Sequence, residues 1–491
     1  MGNTLSKRHS NPEIINGKLY GQDYVTLKNE HLRNGTLFTD SEFFPPDKYS
    51  ICYNGKFDEG GLNLDYEVKW VRAREFWPKG EFIINGPSKD DINQGLLGDC
   101  WFLASMAVLA ERRDLFDVVV PGGQDIKYGQ YCGMFLFRFF KWGQWVEVVV
   151  DDYIPIYWDK EAKQERPLFT YSDDEGEMWP CLLEKAFAKL HGSYTHLVSG
   201  FTVAALECLT GGFTERFVGY DGPCYPLKRG GIDTELFDRI TDVLDEGGLV
   251  CTGTLIDNLN VGIFGGHAYS ITGTYTIPEI DKRLVKIRNP WGTEFEWIGR
   301  WSDDSKEMMA MKGTKYEKAL ENGVGEFWME WKDFLKYFTL VEFCVILNDW
   351  RQFTEYHGSW SQQSSSVKFC LTMMKKDEVF LSLEQKYSRE LRDELNTFET
   401  EIPIGINLYK VPTSLTSDNK LDLHKLSRKH RVHFGNNADF KELTSITFHD
   451  SLDAGTYLVD CYRDEKPKLK REFFFVAASL NESHKMAVNL Q

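Results

Sequence analysis

The sequence has no long basic run. Its 57 Lys and Arg face 74 Asp and Glu, for a formal net charge of −17. A nucleic-acid-binding face is therefore not expected. It also has no secretory leader and no apolar run long enough to span a bilayer. Ten cysteines are scattered along the chain without a single Cys-x-x-Cys pair. That removes the usual frame of a structural zinc site and leaves reduced thiols in a cytoplasmic protein as the expectation. What is present is an ordinary globular balance, 42% hydrophobic and 27% charged over 491 residues. This length exceeds what one core holds, so two or three domains are expected. The surplus acid directs attention to hard cations such as calcium.

The start of the chain combines Gly2 and Ser6 with Lys7 and Arg8. This fits N-myristoylation supported by a basic pair, and so membrane association, with a plain polar leader as the alternative. Residues 1–40 read as leader and entry segment, 41–200 as a helical lobe, 201–347 as a β-rich lobe and 348–491 as an antiparallel β-sandwich. The expected class is α+β. Asp23 to Arg33 is amphipathic and stops at Asn34-Gly35. GDCWFLASMAVLAERR reads as a central helix capped by Asp99. EMWPCLLEKAFAKLHGSY reads as a second helix, with Pro180 in its first turn. YCGMFLFRFF and QWVEVVVDDYIPI pair around a Lys-Trp-Gly turn. GLVCTGTL, HAYSITGTYTI and RLVKIRNPW read as strands. Past the patternless stretch near 345–365, only short strands separated by turn residues follow.

Cys100 stands at the N-terminus of a helix, where a thiolate is favoured. Gln94 lies six residues upstream. Its amide, with the Cys100 N–H, could form an oxyanion hole, and Gly95 and Gly98 permit close backbone approach. Of eleven histidines, His267 alone follows two glycines at the mouth of an alternating strand. His191 and His196 follow a helix end, and His424, His430, His433 and His449 lie in the sandwich region. Asn289, just before Pro290-Trp291-Gly292, offers an amide to orient the imidazole. Each residue has a bland alternative: an inert core thiol, a strand-end histidine, a turn asparagine. Their order along the chain is that of a papain-type protease.

The strings QGLLGDCWFL, GGHAYSITG and RNPWG resemble the active-site motifs of the calpain family, in order and spacing. The likeness extends over roughly residues 20–345, and includes LLEKAFAKLHGSY. It implies a two-lobed papain-like protease core. Cys100 becomes the nucleophile, His267 the base, Asn289 its orienter and Gln94 the oxyanion donor. It also implies two calcium ions. In the first lobe Ile84, Gly86, Asp91 and Glu184 match ligand positions. In the second Glu296, Asp303 and Glu326 do. An aspartate usual two residues before that glutamate is Val324 here, leaving Asn322 or Glu321 as other oxygen sources. Trp291 matches a tryptophan that wedges into the cleft without calcium. IPIGINLYKV and LDAGTYLVDCYRD resemble the calpain-type sandwich. No helix–loop–helix calcium module follows, so no small regulatory subunit is expected. The implied activity is calcium-dependent endoproteolysis of protein substrates. A catalytically silent binding protein and a transglutaminase-like acyl transferase are the rivals.

Overall fold

The computed structural model describes residues 13–52, 67–126, 129, 131–218, 232–256, 259–292, 296–346, 352–361, 363–385, 403–413, 416–417, 420–421, 430–436, 445–463 and 471–489. They fall into two compact units. The first lies within Met1–Gly211 and Lys228–Phe343, and the second within Gly212–Leu227 and Cys344–Gln491, apart from three residues near 389.

The first unit opens with the helix Tyr24–Asn34. The Asp23 carboxylate accepts from the Thr26 N–H at 2.8 Å, and Gly35, at φ 62°, turns the chain out of the helix. The helix Cys100–Ala110 is buried at every residue from Trp101 to Ala110. It has no polar face because it is the centre of the core, where its Phe102 ring stacks on Phe187 at 4.0 Å. Phe187 belongs to the helix Trp179–Leu190, which is also wholly buried and carries Pro180 in its first turn. That helix carries two buried lysines. Lys185 pairs with Asp151 and donates to the Tyr153 carbonyl at 2.6 Å, and Lys189 pairs with Asp40 and donates to the Val149 carbonyl at 2.6 Å. These partners offset the several kcal/mol that each isolated buried charge would cost. The acceptors flank a hairpin, Met134–Lys141 with Gln144–Asp151, turned by Trp142 and Gly143 at φ 59° and 73°. Two left-handed residues in succession match the twist of the strands they join.

The rest of this unit is built on antiparallel strands in the order Glu326–Glu330, Lys282–Arg288, His267–Ile277, Leu249–Thr254. Two helices, Thr202–Thr210 and Ile232–Asp245, interrupt a region whose texture reads as β. The first has no local cap. Its Thr202 N–H and hydroxyl are both accepted by Glu342, 140 residues later, the N–H at 2.9 Å. A start signal supplied by a distant strand leaves no mark in the local sequence.

The second unit is an antiparallel sandwich. One sheet runs Gln352–Trp360, Arg471–Ser479, Asp377–Gln385, Ser445–Leu452. The other runs Arg431–Asn436, Ile404–Val411, Gly455–Arg463, Ser366–Met373, His484–Asn489. Phe369, Leu371 and Met373 alternate inward, as do Val379, Leu381 and Leu383 opposite Ile404, Ile406 and Leu408. The strand Phe213–Val218 also belongs to this unit, although 201–347 reads as one lobe. Phe213 packs on Phe380 at 5.1 Å and Glu215 meets His449 at 2.9 Å, contacts that no short-range pattern announces.

Candidate active site

Cys100 is the first residue of its helix and His267 the first residue of its strand, so both are held by regular backbone. Asn289 follows the strand Lys282–Arg288, which pairs with the His267 strand. Its Oδ1 lies 2.8 Å from His267 Nε2 and also accepts the Trp291 N–H at 3.1 Å. The backbone N–H of the same residue donates to the Gly325 carbonyl at 3.0 Å, which anchors the main chain there. An acceptor opposite Nε2 assigns the ring proton to that nitrogen and leaves Nδ1 as the basic one.

Trp291 covers this pair. Its ring lies 4.0 Å from the His267 ring, and its indole N–H donates to Gln94 Oε1 at 2.6 Å. The other end of the Gln94 amide donates to the Leu97 carbonyl at 2.6 Å. Both ends of that amide are thus committed within the protein. No hydrogen bond joins Cys100 to His267. Burial pushes the Cys100 thiol up to about 11, against a lowering contact from the Ala268 backbone. Burial likewise drives His267 down to about 4, opposed by Asn289. For both groups burial acts against the charged form that a thiolate–imidazolium pair requires. Gly95 serves the protein's own backbone: a Cβ there would sit 2.3 Å from the Phe169 carbonyl oxygen.

Among the acidic candidates, Asp91 has unexpected neighbours. Carboxylate oxygens of Asp91, Asp174 and Glu177 all lie within 4.8 Å of one another. Glu177 accepts the Ile84 N–H at 2.7 Å, which brings the Ile84–Gly86 loop alongside. Asp91 accepts the Ser88 N–H at 2.8 Å and the Trp179 indole at 3.1 Å. Among the described residues no Lys or Arg pairs with any of the three. Burial raises Asp91 to about 6 and Glu177 to about 7. Glu184 is not part of this cluster, contrary to the sequence reading. It faces inward from its helix and accepts from Thr170 at 2.8 and 3.1 Å. Glu177 was legible only as an acid one turn before that helix; its neighbourhood with Asp91 is tertiary.

Glu326 is spoken for. It accepts from the Thr272 hydroxyl at 2.6 Å and the Gly323 N–H at 2.7 Å, and pairs with Lys286 at 2.9 Å and Lys89 at 3.8 Å. Burial acts against it, but these partners hold its carboxyl below the ordinary value. Glu296 is raised by burial and by Asp303 and Asp304. Asp303 accepts from Asn322, whose own Oδ1 meets no donor among the described residues. Val324 is 41% exposed. Gly2 lies outside the described residues.

Residues 38–345 match the family described as calpain family cysteine protease, and residues 355–475 match calpain large subunit, domain III. The chain is 34% identical over 493 residues to the calpain-1 catalytic subunit of Mus musculus, covering 90% of this chain and 64% of that protein. It is 33% identical over 489 residues to the calpain-1 catalytic subunit of Homo sapiens, covering 90% and 65%. It is 32% identical over 493 residues to calpain-8 of Mus musculus, covering 90% and 66%. The chain therefore spans about two thirds of the length of these relatives.

Proposed function

The chain belongs to the calpain family of cysteine proteases, and from that premise we propose that it is an intracellular, calcium-dependent endopeptidase making limited cuts in protein substrates. The observation that carries the reading is the 2.8 Å bond from Asn289 to His267 Nε2. It leaves Nδ1 basic on a ring held beside the helix that begins with Cys100. His267 Nδ1 takes the thiol proton as Cys100 Sγ attacks the scissile carbonyl carbon. The oxyanion is met by the Cys100 N–H and by the Gln94 amide once that amide leaves Leu97. His267 then gives the proton to the departing amine, and the acyl-enzyme is hydrolysed by a water that the same ring deprotonates.

The resting arrangement supports regulation. Trp291 holds Gln94 and lies on His267, so these contacts must loosen before the oxyanion donor and base are free. Calcium fits the first acidic cluster, because three neighbouring carboxylates have no Lys or Arg partner among the described residues and two of them are raised by burial. Asp91, Glu177 and Asp174 would hold it, with carbonyls of the Ile84–Gly86 loop. A bound ion supplies the missing positive charge three residues along the chain from Gln94. Association with membranes through acylated Gly2 is part of this reading, motivated by Ser6, Lys7 and Arg8. Gly2→Ala should move the protein from the membrane to the soluble fraction, and an unchanged distribution removes that part.

The test of the whole is hydrolysis of a fluorogenic peptide by the full chain, titrated with calcium, beside Cys100→Ala. Activity that rises with calcium and disappears in the variant is expected. Full activity in chelator would discard the calcium gate. Absence of activity at every calcium level would favour a catalytically silent binding protein.

A further inference from the structure

Tyr269 is fully buried two residues along the strand from His267, so the two side chains leave the same face of the sheet. Their rings meet edge to face at 4.8 Å and 79°, and Phe338 meets the Tyr269 ring at 5.3 Å and 90°. The Tyr269 hydroxyl reaches back along the chain and accepts the Phe264 N–H at 2.9 Å. That bond fastens the segment by which the chain enters the His267 strand. Two main-chain bonds flank it: the Gly266 N–H donates to the Thr254 carbonyl at 2.7 Å, and the Ile298 N–H to the Val261 carbonyl at 3.2 Å.

Fastened at its N–H, Phe264 presents its ring to Trp291 at 4.8 Å and 61°. Trp291 lies 4.0 Å from the His267 ring and donates its indole N–H to Gln94 Oε1 at 2.6 Å. The contacts close a circuit that runs from His267 to Tyr269, Phe264 and Trp291 and returns to His267. The Phe264 ring can steady the indole only while its own main chain stays in place, and the Tyr269 hydroxyl is the side-chain group that holds it there. A partly buried N–H that loses its acceptor turns toward water and takes its residue with it.

We propose that Tyr269 is a positioning residue: through the Phe264 N–H its hydroxyl sets where Trp291 lies on His267, and so how firmly the base and the Gln94 amide are withheld at rest. The proposal rests on the reading of Trp291 as a resting cover and gives that cover its support. The task falls to the hydroxyl, since the ring contacts with His267 and Phe338 would survive in a phenylalanine.

Tyr269→Phe therefore keeps the packing and removes only the acceptor. The measurement is the pH titration of the His267 ring by NMR in the full chain, in chelator, with the signal assigned by its loss in His267→Gln. Burial, to which the indole contributes, holds His267 well below its ordinary value. A loosened indole admits water, which favours the charged ring, so the midpoint should rise by roughly one pH unit in Y269F. An unmoved midpoint overturns the proposal, since a hydroxyl that served folding alone would leave the His267 titration where it is. Trp291→Ala should raise the midpoint further, and adding Y269F to it should move it no more. A full Y269F shift on that background means that Tyr269 acts on His267 directly, and overturns the relay. Phe264→Ala keeps the hydroxyl and removes the ring it steers. It should give the same rise as Y269F, it serves where Y269F does not fold, and an unmoved midpoint there also overturns the relay. An unmoved midpoint in Trp291→Ala would refute the cover itself, and the proposal with it. The titration reads the ring whether or not substrate is turned over, so a failure of the protease reading, seen as absent hydrolysis at every calcium level, is a separate result.

Discussion

Asp91 and Glu326 stand in the same compact unit, and both are buried glutamate or aspartate side chains that resemblance assigns to calcium. Their surroundings are opposite. Asp91 has Asp174 and Glu177 as neighbours and, among the described residues, no pairing cation, and burial lifts its carboxyl. Glu326 has Lys286, Lys89, Thr272 and the Gly323 N–H, so its carboxyl is held low. The difference teaches that a carboxylate's availability to a metal is set by what already neutralises it. A residue type at a matching position carries no information on that point.

Four perturbations separate the two carboxylates. Asp91→Asn should weaken calcium binding to the first cluster by roughly a hundredfold. Calorimetric titration in which the variant binds as the parent does would end the distinction. Lys286→Met should instead act on folding. It strips Glu326 of its nearest cation and should lower stability by about 2 kcal/mol in urea denaturation. It should leave first-cluster calcium binding unchanged.

A pH series in chelator should show the two regions with opposite signs. Asp91 and Glu177 have raised carboxyls, so the folded state holds protons that the unfolded chain has released. Their contribution to stability therefore falls as pH rises from the ordinary values of 3.8 and 4.5 toward about 6 and about 7. Glu326 is lowered, so its contribution is present above 4.5 and is lost as pH falls through its folded value. Adding calcium should flatten the first trend and not the second. A single monotonic trend insensitive to calcium would contradict this. The smallest effect is expected for Val324→Asp. Its exposed position would place a carboxylate near Glu296, Asp303 and the undonated Asn322 oxygen. Calcium binding there should tighten a few-fold, and terbium luminescence would register it.

The candidate residues Cys100, His267 and Asn289 were legible because each sits at a joint between a local signal and a break in it. Cys100 begins an apolar helix, His267 follows two glycines into a strand, and Asn289 ends a strand before proline. The same logic located the Trp179–Leu190 helix and the Trp142–Gly143 turn. It misplaced Glu184, because an acid on a helix reads as exposed or ligating, and only the fold shows that helix buried on all sides. It missed the helix Thr202–Thr210, whose start is capped by Glu342.

By itself the sequence determined which side chains could do chemistry and where helices and strands begin, since helix starts, turns and alternation are written within a few residues. The tertiary structure alone set how those side chains are partnered: Trp291 upon His267 and Gln94, Glu177 beside Asp91, Glu326 paired with Lys286. Ionisation depends on burial and on charges within a few ångströms, and those distances are set by chain segments far apart in sequence.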